Sequence, residues 1–252
     1  MSEEKEMTFW DHLEVLRWSI IRVLIAMLVG FLAVFAVMPS IFDSVILSPS
    51  KSDFFLYKWF GSMFDSGFNV DIININVTTP FFTHMKVAFW VALLLLFPYL
   101  LYEVWRFVAP ALYADEKKGV RAAFLGVAVL FYLGCAVGYC VIFPLTFRFL
   151  AGYQIGQDIL TQISLDSYMS TFLTIIFLMG LLFEIPVLAW VLSVMGVLNK
   201  STLKAYRRQA VVVLLVLAAI ITPTGDPFTL MVVFLPIYLL YEFSILIVKE
   251  RA

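Results

Sequence analysis

The chain has 252 residues, of which 63% are hydrophobic and 14% are charged, whereas an ordinary soluble domain has about 45–50% apolar and about 25% charged residues. So much apolar surface excludes a water-soluble globule and predicts an all-α integral membrane protein, whose solvent is the lipid bilayer. The formal net charge of −1 gives no indication of a nucleic-acid-binding surface that works by neutralising phosphates.

Six apolar runs, each bounded by charge, proline or glycine, predict six membrane-spanning helices. The fifth run has 14 residues, or about 21 Å of helix, which is less than the roughly 30 Å of a bilayer core. Only a tight turn at 223–227 separates it from the sixth, so we expect the last two helices to be short and to form an antiparallel hairpin. The runs cover residues 19–38, 80–102, 122–150, 168–195, 209–222 and 228–248.

The segment before the first run is acidic, and no small-residue cleavage site of the signal-peptide type follows that run, so we expect the first helix to be retained. Leu13, Leu16 and Ile20 recur at helical spacing and predict an amphipathic stretch whose apolar face can lie on lipid. Glu14 is an acid of this stretch. The pattern fits a plain interfacial helix and a docking segment equally well.

The long connection at 39–79 is predicted to be an ordered outer loop. It is too apolar for a disordered linker and favours short helices at the membrane interface. The residues that carry this prediction are Phe54, Phe55, Tyr57, Trp59, Phe60, Met63 and Phe64.

Carboxylates gather around the connection between the second and third runs. Glu103 lies at the end of the second run, and Asp115 and Glu116 lie in the predicted loop beside Lys117 and Lys118. A solvated connection whose basic residues fix the topology would have the same composition. Carboxylates at a membrane surface also suit a guanidinium ligand, which pairs with a carboxylate through two parallel, charge-assisted hydrogen bonds.

Glu184 lies in the middle of the fourth run, where a charged side chain costs about 2.5–3.5 kcal/mol on insertion scales. It is either a polar contact for a substrate, a proton or a partner helix, or a protonated acid bonded to a neighbouring helix. Pro186 removes a backbone donor and predicts a kink beside it. Asp226 is predicted to form part of the turn between the last two helices.

The distribution of basic residues predicts that both termini are cytoplasmic. On the six-span plan, 13 of the 17 Lys and Arg residues fall on the cytoplasmic side and 4 fall on the outer side, at Lys51, Lys58, Lys86 and Arg148. This asymmetry follows the positive-inside rule. Because no transit peptide precedes the first span, we expect a bacterial cytoplasmic (inner) membrane.

Enzyme signatures are absent from the sequence, which has no HExxH, no GxSxG, no Gly-rich phosphate loop and no pair of intramembrane aspartates. Cys135 and Cys140 do not have the spacing of a metal site. We expect no catalytic activity, no cofactor and no metal. The main alternative is a proton-coupled secondary transporter with Glu184 as its coupling site, which the absence of two related halves disfavours.

Short motifs follow one another along most of the chain. The most specific is Phe-Val-Ala-Pro-Ala-Leu-Tyr at 107–113, which includes Pro110 and is followed by Glu116. The others are His12-Leu13, Leu16-Arg17, Thr79-Pro80-Phe81-Phe82, Leu130-Phe131-Tyr132, Phe143-Pro144-Leu145, Phe183-Glu184-Ile185-Pro186, and Thr222-Pro223 with Asp226. In this order, and on the six-span plan, they resemble the TatC family, the multispanning core subunits of the twin-arginine protein translocase.

The resemblance implies a translocase that moves folded proteins bearing an Arg-Arg signal peptide across an energised membrane by the proton motive force, without ATP. It implies TatA-type and often TatB-type single-span subunits as partners, self-association within the complex, a lipid environment and no nucleic acid.

The resemblance also assigns roles to residues. Glu116 matches a carboxylate that helps to recognise the arginine pair at the cytoplasmic surface, and Phe107 matches a position associated with signal binding. Our hypothesis is that Glu14 and Glu103 assist Glu116 in one carboxylate site for the two arginines.

Two further roles follow from the resemblance. Glu184 matches an intramembrane acid that faces a concave, wet side of the helix array and meets a polar group on a partner helix. Pro80 and the loop before it belong to a region that caps the opposite face.

The chain departs from the family pattern near its amino terminus. The family reads His-Leu-x-Glu-Leu-Arg, whereas this chain has Val15 in place of the acid and Glu14 one residue earlier. A shift of one residue turns a side chain by about 100° around a helix. The turn before Asp226 also holds one residue more than the family pattern.

Overall fold

The computed structural model describes residues 9–59, 70–108, 114–153, 162–222, 225–248 and 250. The described helices are α1 (Phe9–Ile41), α2 (Phe55–Trp59), α3 (Thr79–Val108), α4 (Ala114–Val137), α5 (Phe143–Gly152), α6 (Leu165–Leu182), α7 (Ile185–Val194), α8 (Lys200–Ala205), α9 (Arg207–Ile221) and α10 (Pro227–Ile247). Two short strands, β1 (Ile72–Ile73) and β2 (Ile163–Ser164), pair in parallel, with Ile72 opposite Ile163.

Five stretches of the described chain are long and apolar enough to cross a membrane, namely Leu13–Tyr57, Thr79–Phe107, Phe124–Gly152, Leu165–Val194 and Pro227–Ile247. Helix α9, at the fifth predicted span, has 15 residues, or about 22 Å, and falls short of the bilayer core as expected. The prediction that the sixth helix is also short is wrong. Helix α10 has 21 residues, or about 31 Å, because its apolar run continues through Pro236 without a break.

Helix α1 begins at Phe9, well before the predicted start at residue 19, and its 33 residues extend over about 50 Å. No proline or glycine occurs between Phe9 and Val29, so nothing interrupts the helix between the amphipathic stretch and the apolar run. The amphipathic stretch is therefore rigidly continuous with the first span.

The helix that leads into the third span also begins before the predicted apolar run. Helix α4 starts at Ala114, so Glu116 lies in the first turn of a helix and not in a loop. Asp115 and Glu116 suit this position because acidic residues are favoured where the helix dipole is positive. A π-helical turn at Gly138–Ile142 joins α4 to α5.

The fourth span is broken beside Glu184, where the sequence predicts a kink. Helix α6 ends at Leu182 and α7 begins at Ile185, with Glu184 as the residue that precedes α7 and Pro186 in its first turn. Proline is favoured in the first turn of a helix, because a backbone amide there has no partner within the helix and its loss costs nothing.

The third and fourth spans approach each other closely at two glycines. A Cβ atom on Gly134 would lie 2.6 Å from the carbonyl oxygen of Met179, and one on Gly180 would lie 2.6 Å from the sulfur of Cys135. Beyond these glycines, Phe143, Phe147, Tyr168 and Phe172 form an aromatic cluster with ring centroids 5.0–6.0 Å apart. At positions 134 and 180 only glycine, which has no side chain, permits the two spans to pack so closely.

The described part of the long loop is ordered. A π-helical turn at Phe42–Ile46 and a 3-10 turn at Ser48–Ser50 precede α2. Tyrosine hydroxyls hold these turns, since Tyr139 donates to the carbonyl of Val45 at 2.8 Å and Tyr168 donates to that of Ile46 at 2.7 Å. The predicted interfacial residues Phe60, Met63 and Phe64 lie outside the described residues.

The chain divides into two compact units. The first contains Met1–Pro39 and His84–Ala128, and the second contains Ser40–Thr83 and Val129–Ala252. The first unit therefore holds all four residues expected to bind the signal peptide, which are Glu14, Glu103, Phe107 and Glu116. The second unit holds Glu184 and Asp226.

Candidate functional site

The side chain of Glu103 is engaged by an arginine of the first span. Arg22 donates from Nε to Oε1 of Glu103 at 2.8 Å and from Nη2 to Oε2 at 2.7 Å, which is the parallel two-bond geometry of a guanidinium on a carboxylate. The hydroxyl of Tyr99 donates to Oε1 at 3.2 Å, and Ser19 Oγ accepts from Arg22 Nη2 at 2.9 Å. We call these four residues, Ser19, Arg22, Tyr99 and Glu103, the Arg22 cluster.

Glu103 is therefore not an open carboxylate. Its side chain is 3% exposed, while that of Arg22 is 32% exposed, so a ligand that approaches from outside meets the guanidinium and not the acid. Both residues of the pair belong to the first unit. The carboxylate joins α1 to α3. It was predicted to bind the peptide, but nothing in the sequence identified Arg22 as its partner.

Glu14 is open. It lies on α1, its side chain is 64% exposed, and it pairs with Arg17 at 3.5 Å, which is equally exposed. An exposed pair of this kind contributes about 0–1 kcal/mol and exchanges readily. Glu14 is more exposed than Val15, which occupies the position of the family's glutamate. The acid of this chain therefore points away from the covered side of α1.

Phe107 is half-buried at the end of α3, four residues after Glu103. Residues four apart lie on one helix face, so Phe107 continues the side of α3 that carries Glu103. The backbone of Glu116 lies in the first turn of α4. Its side chain and the whole of Pro110 lie outside the described residues.

Glu184 is 9% exposed. The backbone of Phe131 comes near its carboxyl group, but neither Oε1 nor Oε2 has a hydrogen bond of normal geometry to any described residue. A buried polar group without a partner is costly, by about 1–3 kcal/mol or more. The position is therefore suited to a donor that comes from outside the described chain.

The remaining predicted positions are structural in character. Pro80 is exposed in the first turn of α3, where its missing amide is harmless. Asp226 caps α10, since its Oδ1 accepts from the backbone amide of Thr229 at 2.7 Å. No group of three or more metal-binding side chains occurs among the residues that the structure describes.

A second cluster resembles the Arg22 cluster. Arg207 Nη2 donates to Oε2 of Glu242 at 2.7 Å, and the hydroxyl of Tyr238 donates to Oε1 at 2.9 Å. We call Arg207, Tyr238 and Glu242 the Arg207 cluster. It joins α9 to α10 and is more exposed, at 48% for Arg207 and 29% for Glu242.

A repeated pentapeptide in the sequence marks both clusters. Tyr-Leu-Leu-Tyr-Glu occurs at 99–103 and again at 238–242, and in each copy the first tyrosine bonds the glutamate four residues later. Residues at this spacing lie one above the other on a helix. This repeat was the available signal for the clusters, although nothing in it identifies the arginine partners.

Comparison with known proteins places the chain among translocase subunits. Residues 11–236 match the family model of the Sec-independent protein translocase protein (TatC). The chain is 33% identical over 257 residues to the Sec-independent protein translocase protein TatC of Blattabacterium sp. subsp. Periplaneta americana (strain BPLAN), with 98% of this chain and 96% of that protein covered. It is 32% identical over 244 residues to TatC of Aquifex aeolicus (strain VF5), with 96% and 95% covered.

The fold is also similar to a solved structure. It superposes with a TM-score of 0.74 on a crystal structure of the twin-arginine translocase receptor TatC in DDM. The sequence identity is 32%, and the match covers 94% of this chain and 99% of that one.

Proposed function

Since the chain belongs to the TatC family of Sec-independent protein translocases, we propose that it is the receptor of a twin-arginine translocase and binds Arg-Arg signal peptides at its cytoplasmic face. It crosses the inner membrane six times with both termini in the cytoplasm, and it transports folded proteins with TatA-type and TatB-type partners by the proton motive force. Family membership favours this reading over a secondary transporter.

The observation that carries the proposal is that Glu14, Phe107 and Glu116 fall in one compact unit, at the amino-terminal end of α1, the end of α3 and the start of α4. Glu116 and Glu14 are the carboxylates that receive the two guanidinium groups. Glu103 contributes to recognition indirectly, by binding Arg22, because both of its carboxylate oxygens already accept hydrogen bonds from that residue.

Recognition of this kind needs geometry more than charge. An exposed ion pair is worth about 0–1 kcal/mol, so discrimination between arginine and lysine depends on bidentate hydrogen bonds at a partly dehydrated surface. Phe107 provides apolar area at the same place and suits the hydrophobic part of a signal peptide.

The test is crosslinking of an Arg-Arg signal peptide to full-length protein in membrane vesicles. Glu116→Gln should lower the yield about tenfold, as expected when a charge-assisted hydrogen bond is lost, while insertion into the membrane stays normal. Asp115→Asn removes the neighbouring acid and serves as the matched control. An unchanged yield in Glu116→Gln, or an equal loss in both variants, would contradict the assignment.

Glu184 is proposed as the contact for a polar group on a partner helix, because its carboxylate is buried without a hydrogen bond of normal geometry to any described residue. A polar contact between helices in lipid is worth roughly 0.6–2 kcal/mol and can select one helix face. Glu184→Ala should reduce co-purification of a TatA-type or TatB-type subunit and leave peptide crosslinking intact. The reverse pattern would assign Glu184 to signal recognition instead.

A further inference from the structure

The first span buries little of its surface against the other described residues, and its contacts with α3 include the ring of Phe35, which stacks on that of His84 with centroids 3.8 Å apart. None of the residues in its most apolar 18-residue window is buried within the protein, and the side chains of Leu24, Ile25, Leu28 and Leu32 are more than half exposed. Apolar packing gives little preference for one rotation of a helix that lies in lipid, because the lipid chains are as apolar as leucine. Directional contacts must therefore set the rotation of α1 about its own axis.

The Arg22 cluster is such a contact. The two parallel bonds of the guanidinium on Glu103 fix both the distance and the orientation of the two side chains. The hydroxyls of Ser19 on α1 and Tyr99 on α3 each bind one member of the pair, which restricts its rotamers further. Rotation of α1 about its axis would break the two bonds between Arg22 and Glu103 together.

The rotation set at Arg22 extends to Glu14, because α1 is unbroken between them. The eight residues that separate them correspond to about 12 Å along the axis and about 80° around it. A rigid helix of this length transmits a turn at Arg22 to Glu14 without loss. On α3, Glu103 lies one helical turn before Phe107, so the cluster ties the two elements of the proposed site to each other.

We propose that Arg22 and Glu103 are positioning residues for signal-peptide recognition, which fix the rotation of α1 relative to α3 and thereby the direction in which Glu14 points. This inference rests on the function proposed above. The alternative is that a signal-peptide arginine displaces Arg22 and binds Glu103 directly.

The first measurement is site-specific photo-crosslinking of an Arg-Arg signal peptide to full-length protein in membrane vesicles. One photoreactive residue replaces Trp18, one helical turn after Glu14, and another replaces Asp115, beside Glu116. With the peptide at a saturating concentration, Arg22→Ala should reduce crosslinking severalfold from position 18 and leave it unchanged from position 115. The charge swap Arg22→Glu with Glu103→Arg should restore crosslinking from position 18, because it re-forms the ion pair.

The Arg207 cluster provides the matched control. Arg207→Ala breaks an ion pair of the same composition in the other unit and should leave crosslinking from both positions unchanged. Equal losses from positions 18 and 115 in Arg22→Ala, or no loss from either, would overturn the proposal. An increase in peptide capture in Arg22→Ala would support displacement of Arg22 by the peptide and would also overturn it.

A second measurement needs no peptide and therefore separates this proposal from the proposed function. Nitroxide labels at Leu13→Cys and Leu95→Cys, both exposed in the first unit, are placed in a background with Cys135→Ala and Cys140→Ala. The distance distribution between them should be narrow in the parent, broad in Arg22→Ala, and narrow again in the charge swap. If the distance distribution is the same in all three proteins, the cluster does not fix the rotation of α1. This conclusion does not depend on whether the protein binds the peptide.

Discussion

Arg207 donates to Glu242 at 2.7 Å and joins the short helix α9 to α10. Glu242→Gln should lower the stability of the protein by only about 0–1 kcal/mol, because both side chains are partly exposed and such pairs contribute little. Glu103→Gln should lower it more, since its carboxylate is buried and its loss leaves Arg22 without a counter-ion. Thermal unfolding of both variants in the same detergent provides the comparison. An equal shift of the midpoint in the two variants would contradict the difference in burial.

The close approach of the third and fourth spans predicts a strong effect at Gly134. A Cβ atom there meets the backbone of Met179, which cannot move aside, so Gly134→Ala should destabilise the protein by about 1–3 kcal/mol. Gly152→Ala is the control, because no described atom beyond its own turn of helix lies within 4 Å of its Cβ position. The midpoint of thermal unfolding should fall in the first variant and stay near that of the parent in the second. The reverse order would show that the spans pack differently.

Asp226 stabilises the start of α10 by accepting a bond from the amide of Thr229. Asp226→Ala should cost about 0.5–2 kcal/mol, whereas Asp226→Asn keeps an acceptor oxygen and should cost less. Hydrogen exchange at the Thr229 amide reports this contact directly. We expect faster exchange in the alanine variant, and unchanged exchange there would mean that the cap does not form.

The hydroxyl of Tyr168 holds the turn after α1 through the carbonyl of Ile46, and the tyrosine is 1% exposed. Tyr168→Phe leaves this carbonyl without its donor, at a cost of about 1–3 kcal/mol. Hydrogen exchange should rise in the segment 42–50 and stay constant in α10. Tyr153→Phe, which alters a tyrosine with 64% exposure, is the control and should change neither segment.

Much of the fold follows from the order of apolar runs in the sequence. The family resemblance drawn from short motifs is confirmed by the family model and by relatives at 32–33% identity. The short fifth helix and the break beside Glu184 also agree with the pattern, because helix length and proline position are local properties. The early starts of α1 and α4 could not be predicted from the sequence, because a hydropathy run marks where the apolar segment begins and not where the helix begins.

The candidate site was harder to predict than the fold. The sequence located Glu14 and Glu103 but could not tell that one is open and the other buried against Arg22. That difference depends on how α1 turns against α3, which is a property of two helices far apart in sequence. The repeated Tyr-Leu-Leu-Tyr-Glu pentapeptide pointed to the glutamates, whereas only the structure supplied their arginines.

The most direct test of the account compares an Arg-Arg signal peptide with a Lys-Lys version of the same peptide, both titrated against the full-length protein in vesicles. The parent should bind the Arg-Arg peptide about tenfold or more tightly, because lysine cannot form two parallel bonds to one carboxylate. Glu116→Gln should reduce this preference, because only Glu14 then remains to form two parallel bonds with an arginine. Equal affinities in the parent, or an undiminished preference in Glu116→Gln, would contradict recognition by a carboxylate at position 116.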